Sequence, residues 1–176
     1  MHLHRGNLFL VGMPGSGKST LGRLLARRLD KPFFDADVEL ERRLGVTIAV
    51  IFELEGEAGF REREQLILTE FVVHTHTVLA TGGGAIVLPA NRGLLKQNGT
   101  VLYLHATPET LWERTRRSKH RPLLQSPDPF GRLKELYVER DPLYRETADF
   151  VIESDQEQVI RLAQRLEQQL RAAARA

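Results

Sequence analysis

The strongest constraint in this sequence is the segment from Gly12 to Ser19, which reads GMPGSGKS. It fits the pattern Gly-x-x-x-x-Gly-Lys-Ser, the signature of a loop that wraps around phosphate groups. An apolar run at residues 8–11 precedes this loop, and leucines at helical spacing follow it between Leu21 and Leu29. Strand, loop and helix in that order are the setting in which such a loop binds phosphate. The segment therefore predicts a nucleotide-binding protein.

The residue types in this phosphate loop explain the chemistry that we expect of it. Its glycines let the backbone curl with the N–H groups turned inward, and the positive end of the following helix dipole adds to the attraction for an anion. Lys18 is predicted to reach the β- and γ-phosphates, and the Ser19 hydroxyl is predicted to ligate Mg²⁺. The predicted nucleotide-binding residues of the loop are Gly12, Gly15, Ser16, Gly17, Lys18, Ser19 and Thr20. A glycine-rich turn that matches the pattern by chance is the alternative.

Composition narrows the class of protein. The chain has 176 residues, of which 41% are hydrophobic and 27% are charged, as is typical of one globular domain. It contains no cysteine, which excludes a disulfide framework and a thiolate metal site. A net charge of +2 gives no general attraction to nucleic acid. No apolar run approaches the roughly 20 residues of a membrane span, and no signal-peptide pattern is present. We therefore expect a cytoplasmic protein without nucleic-acid or membrane partners, and we also expect a monomer.

Short apolar runs alternate with helical patterns along the chain. The five predicted strands end near Val11, Phe34, Thr81, Leu104 and Ile152. Such alternation predicts a three-layer α/β/α domain over residues 1–176, with a five-stranded parallel sheet and right-handed crossovers. In folds of this kind, ligands bind at the carboxyl ends of the strands.

Three interruptions of the helical patterns are also predicted. The stretch from Gly56 to Gly59 breaks one helix, and Pro142 interrupts a later helix that contains Leu133. The segment from Ser118 to Gly131 contains three prolines and no periodic pattern. A long irregular stretch in a compact domain is typical of a lid.

Two aspartates, Asp35 and Asp37, follow the second predicted strand. At the carboxyl edge of a parallel sheet they are expected near the phosphate loop. We assign Asp35 to Mg²⁺, through water, and Asp37 to an acceptor hydroxyl, which it orients or from which it takes a proton. The alternative is that Asp37 only caps a helix that starts at Val38.

Three consecutive glycines, Gly82, Gly83 and Gly84, follow the third predicted strand. They present backbone N–H groups with no side chains in the way, which suits a substrate oxygen or carboxylate, whereas a plain turn needs one or two glycines. Arg61 is expected beside this region, and Arg140 precedes the expected helix break. Either arginine alone is most simply a surface residue. Together with a glycine-rich anion site, they indicate an acceptor that carries a carboxylate.

The densest basic segment lies where a helix meets the irregular stretch. It consists of Arg114, Arg116, Arg117, Lys119, His120 and Arg121. A solvated helix face and an RNA-binding patch are the alternatives, although no aromatic residues are interleaved for base stacking. A lid arginine that moves onto the transferred phosphoryl group explains both the charge and the irregularity. We therefore predict a lid over about residues 114–131.

Several segments together make the sequence resemble the shikimate kinases, which are small P-loop enzymes related to the nucleoside-monophosphate kinases. The segments are GMPGSGKST, DAD, GFRE, TGGG, RPLL and RDPLY, and they begin at residues 12, 35, 59, 81, 121 and 140. The similarity covers nearly the whole chain, as far as Asp149. The phosphate loop alone indicates a nucleotide binder, whereas the combination is specific to this family.

For the acceptor, the resemblance implies transfer of the γ-phosphoryl group of ATP to the 3-hydroxyl of shikimate, a step toward chorismate and the aromatic amino acids. It implies that Asp37 contacts the shikimate hydroxyls and that Arg61 and Arg140 hold the carboxylate. It also implies that Gly82–Gly84 complete the acceptor pocket, within an acceptor-binding region at about residues 35–64.

For the nucleotide, the resemblance implies that Arg121 is the lid residue that faces ATP and that Arg114 stacks on adenine. Mg²⁺ is the implied cofactor. The predicted catalytic residues are therefore Lys18, Asp37 and Arg121. One departure is that residues 153–158 contain no proline, although relatives often carry one beside the adenine.

Two other functions fit part of the sequence. A related P-loop kinase with another polyol acid as acceptor, such as gluconate, would keep the loop and the lid. It would not need Asp37, Arg61, the three glycines and Arg140 together. A nucleotide-dependent switch would need no acceptor site, and the Asn-Lys-x-Asp segment that reads guanine in GTPases does not occur.

Overall fold

A parallel sheet of five strands forms the centre of the protein. The computed structural model describes residues 6–117 and 126–175. The strands, β1 to β5 in chain order, are Leu8–Val11, Phe33–Asp35, Val78–Ala80, Thr100–His105 and Phe150–Glu153. Their order across the sheet is β2-β3-β1-β4-β5, and every neighbouring pair is parallel. The predicted number and direction of strands are confirmed.

Helices cover both faces of this sheet. In chain order, α1 to α7 are Lys18–Leu29, Ala36–Leu44, Ile48–Val72, Pro89–Asn98, Pro108–Thr115, Pro129–Thr147 and Val159–Arg175. A short 3₁₀ turn at Ala85–Val87 lies between β3 and α4. No helix in the described ranges is long and apolar enough to cross a membrane.

Alternate residues of β1 pack into two separate cores. Leu8 and Leu10 belong to a core that includes apolar residues of α1 and α7. Phe9 and Val11 belong to a second core with residues of α3, α4 and α6. Because both faces of the strand are buried, its sequence is a continuous apolar run. Two cores with the sheet between them confirm the predicted three-layer architecture.

The strand order brings three connections together at the carboxyl edge of the sheet. β2, β3 and β1 are adjacent, and their registers align both Asp35 and Leu10 with Ala80. The phosphate loop follows β1, Asp35 ends β2, and the three glycines follow β3 shortly after Ala80. The segments that carry most of the predicted site residues are therefore neighbours.

The predicted break between Gly56 and Gly59 is confirmed at Gly56. α3 consists of two helical segments that meet there at a kink, and Gly56 alone has non-helical backbone angles, with φ 69° and ψ −176°. One residue in a conformation that glycine adopts readily is enough to interrupt the helix and redirect the chain.

The predicted interruption at Pro142 is wrong. α6 runs through Pro142 from Pro129 to Thr147, so the irregular stretch also ends earlier than expected. A proline inside a helix removes one backbone hydrogen bond, but buried side chains at Arg140 and Tyr144 anchor this helix on either side of it. Tertiary packing therefore outweighs the local preference.

Candidate active site

The phosphate loop has the backbone conformation that its glycines permit. Gly12, Gly15 and Gly17 have φ of 152°, 86° and 97°. A Cβ at Gly12 would lie 2.6 Å from a carbonyl oxygen of β4, so this position also requires glycine for space. Lys18 Nζ donates hydrogen bonds to the carbonyl oxygens of Gly12 at 2.8 Å and Met13 at 3.1 Å. The ammonium group therefore lies over the loop, where it can reach a phosphate.

A cleft of about 350 Å³ adjoins this loop. Besides loop residues that include Lys18, Ser19 and Thr20, it is lined by Asp35, Asp37, Thr81, Gly83 and Arg114. All of these except Thr81 are predicted site residues. The fold thus brings together predicted residues from the ends of β1, β2 and β3 and from α5.

A second cavity, of about 230 Å³, lies on the same loop and is mostly apolar. It is lined by Gly15, Ser16, Gly17, Thr20, Leu21, Leu104, Arg114, Ser154, Glu157, Val159 and Leu162. Arg114 lines both cavities, donating to the carbonyl oxygen of Ser16 at 3.3 Å and to that of Ser154 at 3.1 Å. An apolar cavity beside a phosphate site suits a nucleobase. The stacking of Arg114 on adenine stays a prediction.

Asp35 ends β2 and caps α2. Its Oδ1 accepts hydrogen bonds from the backbone N–H groups of Asp37 at 3.1 Å and Val38 at 3.2 Å, and its Oδ2 accepts one from the Ser19 hydroxyl. The alternative in which Asp37 caps a helix is therefore wrong, because α2 starts at Ala36 with Asp35 as its cap. A carboxylate and a hydroxyl oxygen side by side are ligands of the kind that Mg²⁺ prefers, so Asp35 and Ser19 fit the predicted metal site.

Asp37 lies in the first turn of α2, among other charged groups. Burial raises the pKa of its carboxyl group to about 7, and repulsion from Glu64 and Asp35 acts in the same direction, whereas Lys18 opposes the shift. A carboxyl group with a pKa near neutrality exists in both protonation states at physiological pH. Asp37 can therefore accept a proton from a hydroxyl group in the cleft.

Gly82–Gly84, which we call the glycine segment, is approached closely by other elements. A Cβ on the first glycine would lie 2.8 Å from Oδ1 of Asp37, and one on the second would lie 2.8 Å from Cδ of Pro14. A Cβ on the third would overlap the guanidinium group of Arg61. None of the three has a positive φ, so space and not backbone conformation requires glycine here.

Arg61 and Arg140 are both buried, with 8% and 2% of their surfaces exposed. Arg61 donates from Nη1 to Glu64 at 2.7 Å and from Nη2 to Glu57 at 3.2 Å. Burial lowers the pKa of Arg61, but these carboxylates outweigh it, so the pKa is raised and the charge is retained. The Nε atoms of both arginines are buried and lack a hydrogen-bond partner in the part of the chain that the structure describes. Buried N–H groups of this kind are costly unless a ligand supplies acceptors.

Two residues of this site, Glu64 and Tyr144, are not among the residues predicted from the sequence. Glu64 is 3% exposed, and its buried Oε1 has no hydrogen-bond partner within residues 6–117 and 126–175. The Tyr144 hydroxyl donates to the carbonyl oxygen of Gly83, and its ring stacks on Tyr103 with 4.8 Å between centroids. Their spacing in the sequence could have indicated them. Glu64 comes three residues after Arg61 and Tyr144 four residues after Arg140, so each lies next to a predicted arginine on the same helix.

Part of the predicted site lies beyond the described residues. Arg121 falls in the range 118–125, which the structure does not describe, as does the middle of the predicted lid. Of that lid, α5 with Arg114 and the start of α6 at Pro129 are described.

A parallel sheet with a phosphate loop, a cleft beside it that is lined by Lys18, Asp35 and Asp37, and two buried arginines are together the arrangement of a P-loop kinase that acts on a small molecule. Its family is equally clear. The family model for shikimate kinase matches residues 14–171, and the chain belongs to the shikimate kinase family.

Individual relatives agree with this assignment. The chain is 55% identical over 170 residues to the shikimate kinase of Nitrosospira multiformis, which covers 97% of this chain and 87% of that protein. It is 56% identical over 167 residues to the shikimate kinase of Burkholderia lata, with 95% and 91% covered.

Solved structures show the same relationship. The shikimate kinase from Acinetobacter baumannii in complex with shikimate has a TM-score of 0.92 and 48% identity, covering 96% of this chain and 94% of that one. A gluconokinase from Sinorhizobium meliloti, at 18% identity and a TM-score of 0.55, shares the fold.

Proposed function

We propose that this kinase transfers the γ-phosphoryl group of ATP to the 3-hydroxyl of shikimate, giving shikimate 3-phosphate and ADP on the route to chorismate. The observation that carries this proposal is that the buried Nε atoms of Arg61 and Arg140 have no hydrogen-bond partner among the described residues. Two buried cations with free donors suit a carboxylate, which shikimate has. The A. baumannii enzyme, which binds shikimate, has almost the same fold.

The nucleotide is proposed to lie along the phosphate loop, with its base in the apolar cavity beside Leu104 and Val159. Lys18 exchanges its bonds to loop carbonyls for bonds to the β- and γ-phosphates. Ser19 and Asp35 would hold Mg²⁺, which neutralises charge on the phosphates when bound. The hydrogen bond between these two residues already places both oxygens on one side of the cleft.

The acceptor is proposed to lie between the glycine segment and α3. Arg61 and Arg140 hold its carboxylate, and Glu64 and Tyr144 fix the two arginines in place. Asp37 then faces the hydroxyl that reacts. As the acceptor oxygen bonds to the γ-phosphorus, the bond from that phosphorus to the bridging oxygen of ADP breaks, and Asp37 accepts the hydroxyl proton.

The test of this function is ADP release from Mg²⁺-ATP with shikimate, with gluconate and with no acceptor. We expect release that depends on shikimate. Release with gluconate, or equal release without an acceptor, would contradict the proposed acceptor. Omission of Mg²⁺ with a chelator present is expected to stop the reaction.

The acceptor site is tested by Arg61→Ala and Arg140→Ala. Each removes charge-assisted hydrogen bonds, so the KM for shikimate should rise by about 10- to 100-fold. Arg63→Ala is the matched control, because Arg63 pairs with Glu55 in an exposed ion pair two residues from Arg61. A normal KM in Arg61→Ala would show that the carboxylate binds elsewhere.

The proposal also covers the domain organisation, cellular location and oligomeric state of the protein. Residues 1–176 are proposed to form one kinase domain that acts as a cytoplasmic monomer, with no nucleic-acid or membrane partner. A shared sheet between two cores supports the single domain. Light scattering during gel filtration checks the monomer, for which we expect a mass near 20.0 kDa.

A further inference from the structure

Glu57 lies against the cation that is proposed to hold the carboxylate of the substrate. Its Oε1 accepts a hydrogen bond from Nη2 of Arg61 at 3.2 Å, one turn further along α3. In the ligand-free protein, both terminal nitrogens of this guanidinium group are therefore engaged by carboxylates of the protein itself. A substrate carboxylate that takes the N–H of Nη2 bonded to Glu57 must displace that glutamate.

The two carboxylates on Arg61 are held very differently. The side chain of Glu64 is 3% exposed and accepts from Nη1 at 2.7 Å. That of Glu57 is 52% exposed and lies at the longer distance. A solvated ion pair at a longer distance stabilises the protein little, because water and salt screen the attraction. Breaking a buried ion pair is costly, because the charge that remains has no partner. An incoming carboxylate therefore displaces Glu57 and leaves Glu64 in place.

The local backbone gives Glu57 room to move. It follows Gly56, the residue at which α3 departs from helical geometry. A Cβ at Gly56 would meet no atom within 4 Å, and residues 53–58 are all exposed. Glu57 can therefore leave Arg61 without disturbing the packing of the buried half of α3.

We propose that Glu57 tunes the affinity for acidic acceptors, because it occupies the carboxylate-binding edge of Arg61 until an acidic acceptor displaces it. This inference rests on the proposed role of Arg61 in holding the carboxylate of shikimate. A neutral acceptor does not compete for a guanidinium group, so it leaves the ion pair intact. An acidic acceptor competes with Glu57 for the guanidinium group of Arg61. Glu57 thus keeps a buried cation paired in the free enzyme and lowers the affinity for shikimate.

The test is Glu57→Gln, which preserves size and removes the charge. The Kd of shikimate, measured by calorimetry without nucleotide, and the KM of shikimate should both fall by about two- to fivefold, as expected for loss of a competing exposed ion pair. kcat should not change. The affinity for the methyl ester of shikimate, which has no carboxylate charge, should stay the same.

Glu55→Gln is the matched control, since Glu55 carries the same charge two residues earlier but pairs with Arg63. It should leave both affinities unchanged. An unchanged or raised Kd of shikimate in Glu57→Gln would overturn the inference, and so would an equal gain with the ester or in Glu55→Gln. Arg61→Ala separates the two proposals: if it leaves the KM of shikimate normal, the acceptor site itself is wrong. If it raises the KM while Glu57→Gln has no effect, only the displacement by Glu57 is wrong.

Discussion

Asp37 is the residue at which substrate binding and turnover can be separated. Its Oδ1 lies beside the glycine segment, where the acceptor is proposed to bind, so we expect Asp37→Asn to lower kcat by about 10²- to 10⁴-fold, the usual contribution of a proton acceptor. The Kd of ATP should stay within about twofold, which is less than the loss of one neutral hydrogen bond. Rapid-quench kinetics and a nucleotide titration measure the two quantities. Glu39→Gln, a matched change on the same helix, should affect neither, and normal turnover in Asp37→Asn would remove Asp37 from the reaction.

Gly84 shows how a missing side chain contributes to the site. A Cβ there would overlap the guanidinium group of Arg61, so Gly84→Ala should displace that arginine. We expect the KM for shikimate to rise by about 10- to 100-fold, as for a small misplacement of a binding group. Steady-state kinetics check this. Gly93→Ala is the control, because a Cβ at Gly93 meets no atom within 4 Å. An unaltered KM in Gly84→Ala would mean that Arg61 has room to shift.

Individual site residues were predictable where a chemical role fixes a local pattern. The phosphate loop is such a pattern, because its glycines, lysine and serine act through their own backbone and side chains. Tyr144 was missed because only the tertiary structure brings its partner, Gly83, near. Glu64 was missed because an acid three residues after an arginine is also common on an exposed helix face, and only the fold buries this pair. The capping role of Asp35 was missed because a cap depends on where the helix starts, and that boundary is poorly determined by sequence.

At the scale of elements, the kink in α3 depends on one glycine. Gly56 has φ 69° and ψ −176°, a region that other residues rarely adopt. Since a Cβ there meets nothing, Gly56→Ala should act through backbone strain alone and should lower the free energy of unfolding by about 1–3 kcal/mol. Urea denaturation measures this change.

Gly93→Ala is a control that should change the free energy of unfolding in the opposite direction. It lies inside α4, and a Cβ there meets no atom within 4 Å. Alanine is favoured over glycine by about 0.5–1 kcal/mol in a helix, so Gly93→Ala should stabilise the protein. If both variants change stability in the same direction, the strain assigned to Gly56 is absent.

The elements themselves were predictable to different degrees. The strands were found because each contains a short apolar run, and in β1 and β4 every residue of that run is buried. The continuity of α6 was not predictable, because proline usually interrupts a helix. At Pro142 the burial of Arg140 and Tyr144 overrides that preference. Local rules thus located the elements but not all of their ends.

At the scale of the whole molecule, the strand order makes the site. β2, β3 and β1 are neighbours although β1 and β3 do not follow each other in the chain, and their carboxyl ends carry the Mg²⁺ ligand candidate, the glycine segment and the phosphate loop. A parallel sheet with right-handed crossovers was predictable, but the order of its strands depends on which faces pack together. The sequence predicted which segments carry chemistry, and the packing decides that they meet.

Bringing these charges together also affects the stability of the whole molecule. The pKa of Asp37 is raised to about 7, above its value in the unfolded chain, so between about pH 4 and 7 the folded protein binds more protons at this site than the unfolded one. Stability from this group is therefore lost as the pH rises through that window, by at most about 4 kcal/mol. Asp37→Asn should remove this loss, so that the variant is more stable than the wild type at pH 7.5 and similar to it near pH 4.

Chemical denaturation of the ligand-free enzyme in a chelator, at both pH values, measures this effect. Glu39→Gln is the control with the opposite sign, because hydrogen bonds from Arg42 and Arg43 lower the pKa of Glu39 to about 2. Its carboxylate stabilises the fold above the unfolded pKa, and that contribution is lost only as the pH falls toward 2, so Glu39→Gln should not stabilise the protein at pH 7.5. A gain from Asp37→Asn that is equal at both pH values would show that charge on Asp37 does not oppose folding. The predicted gain at pH 7.5 would mean that the group which takes the proton during turnover is maintained at a cost to the stability of the resting enzyme.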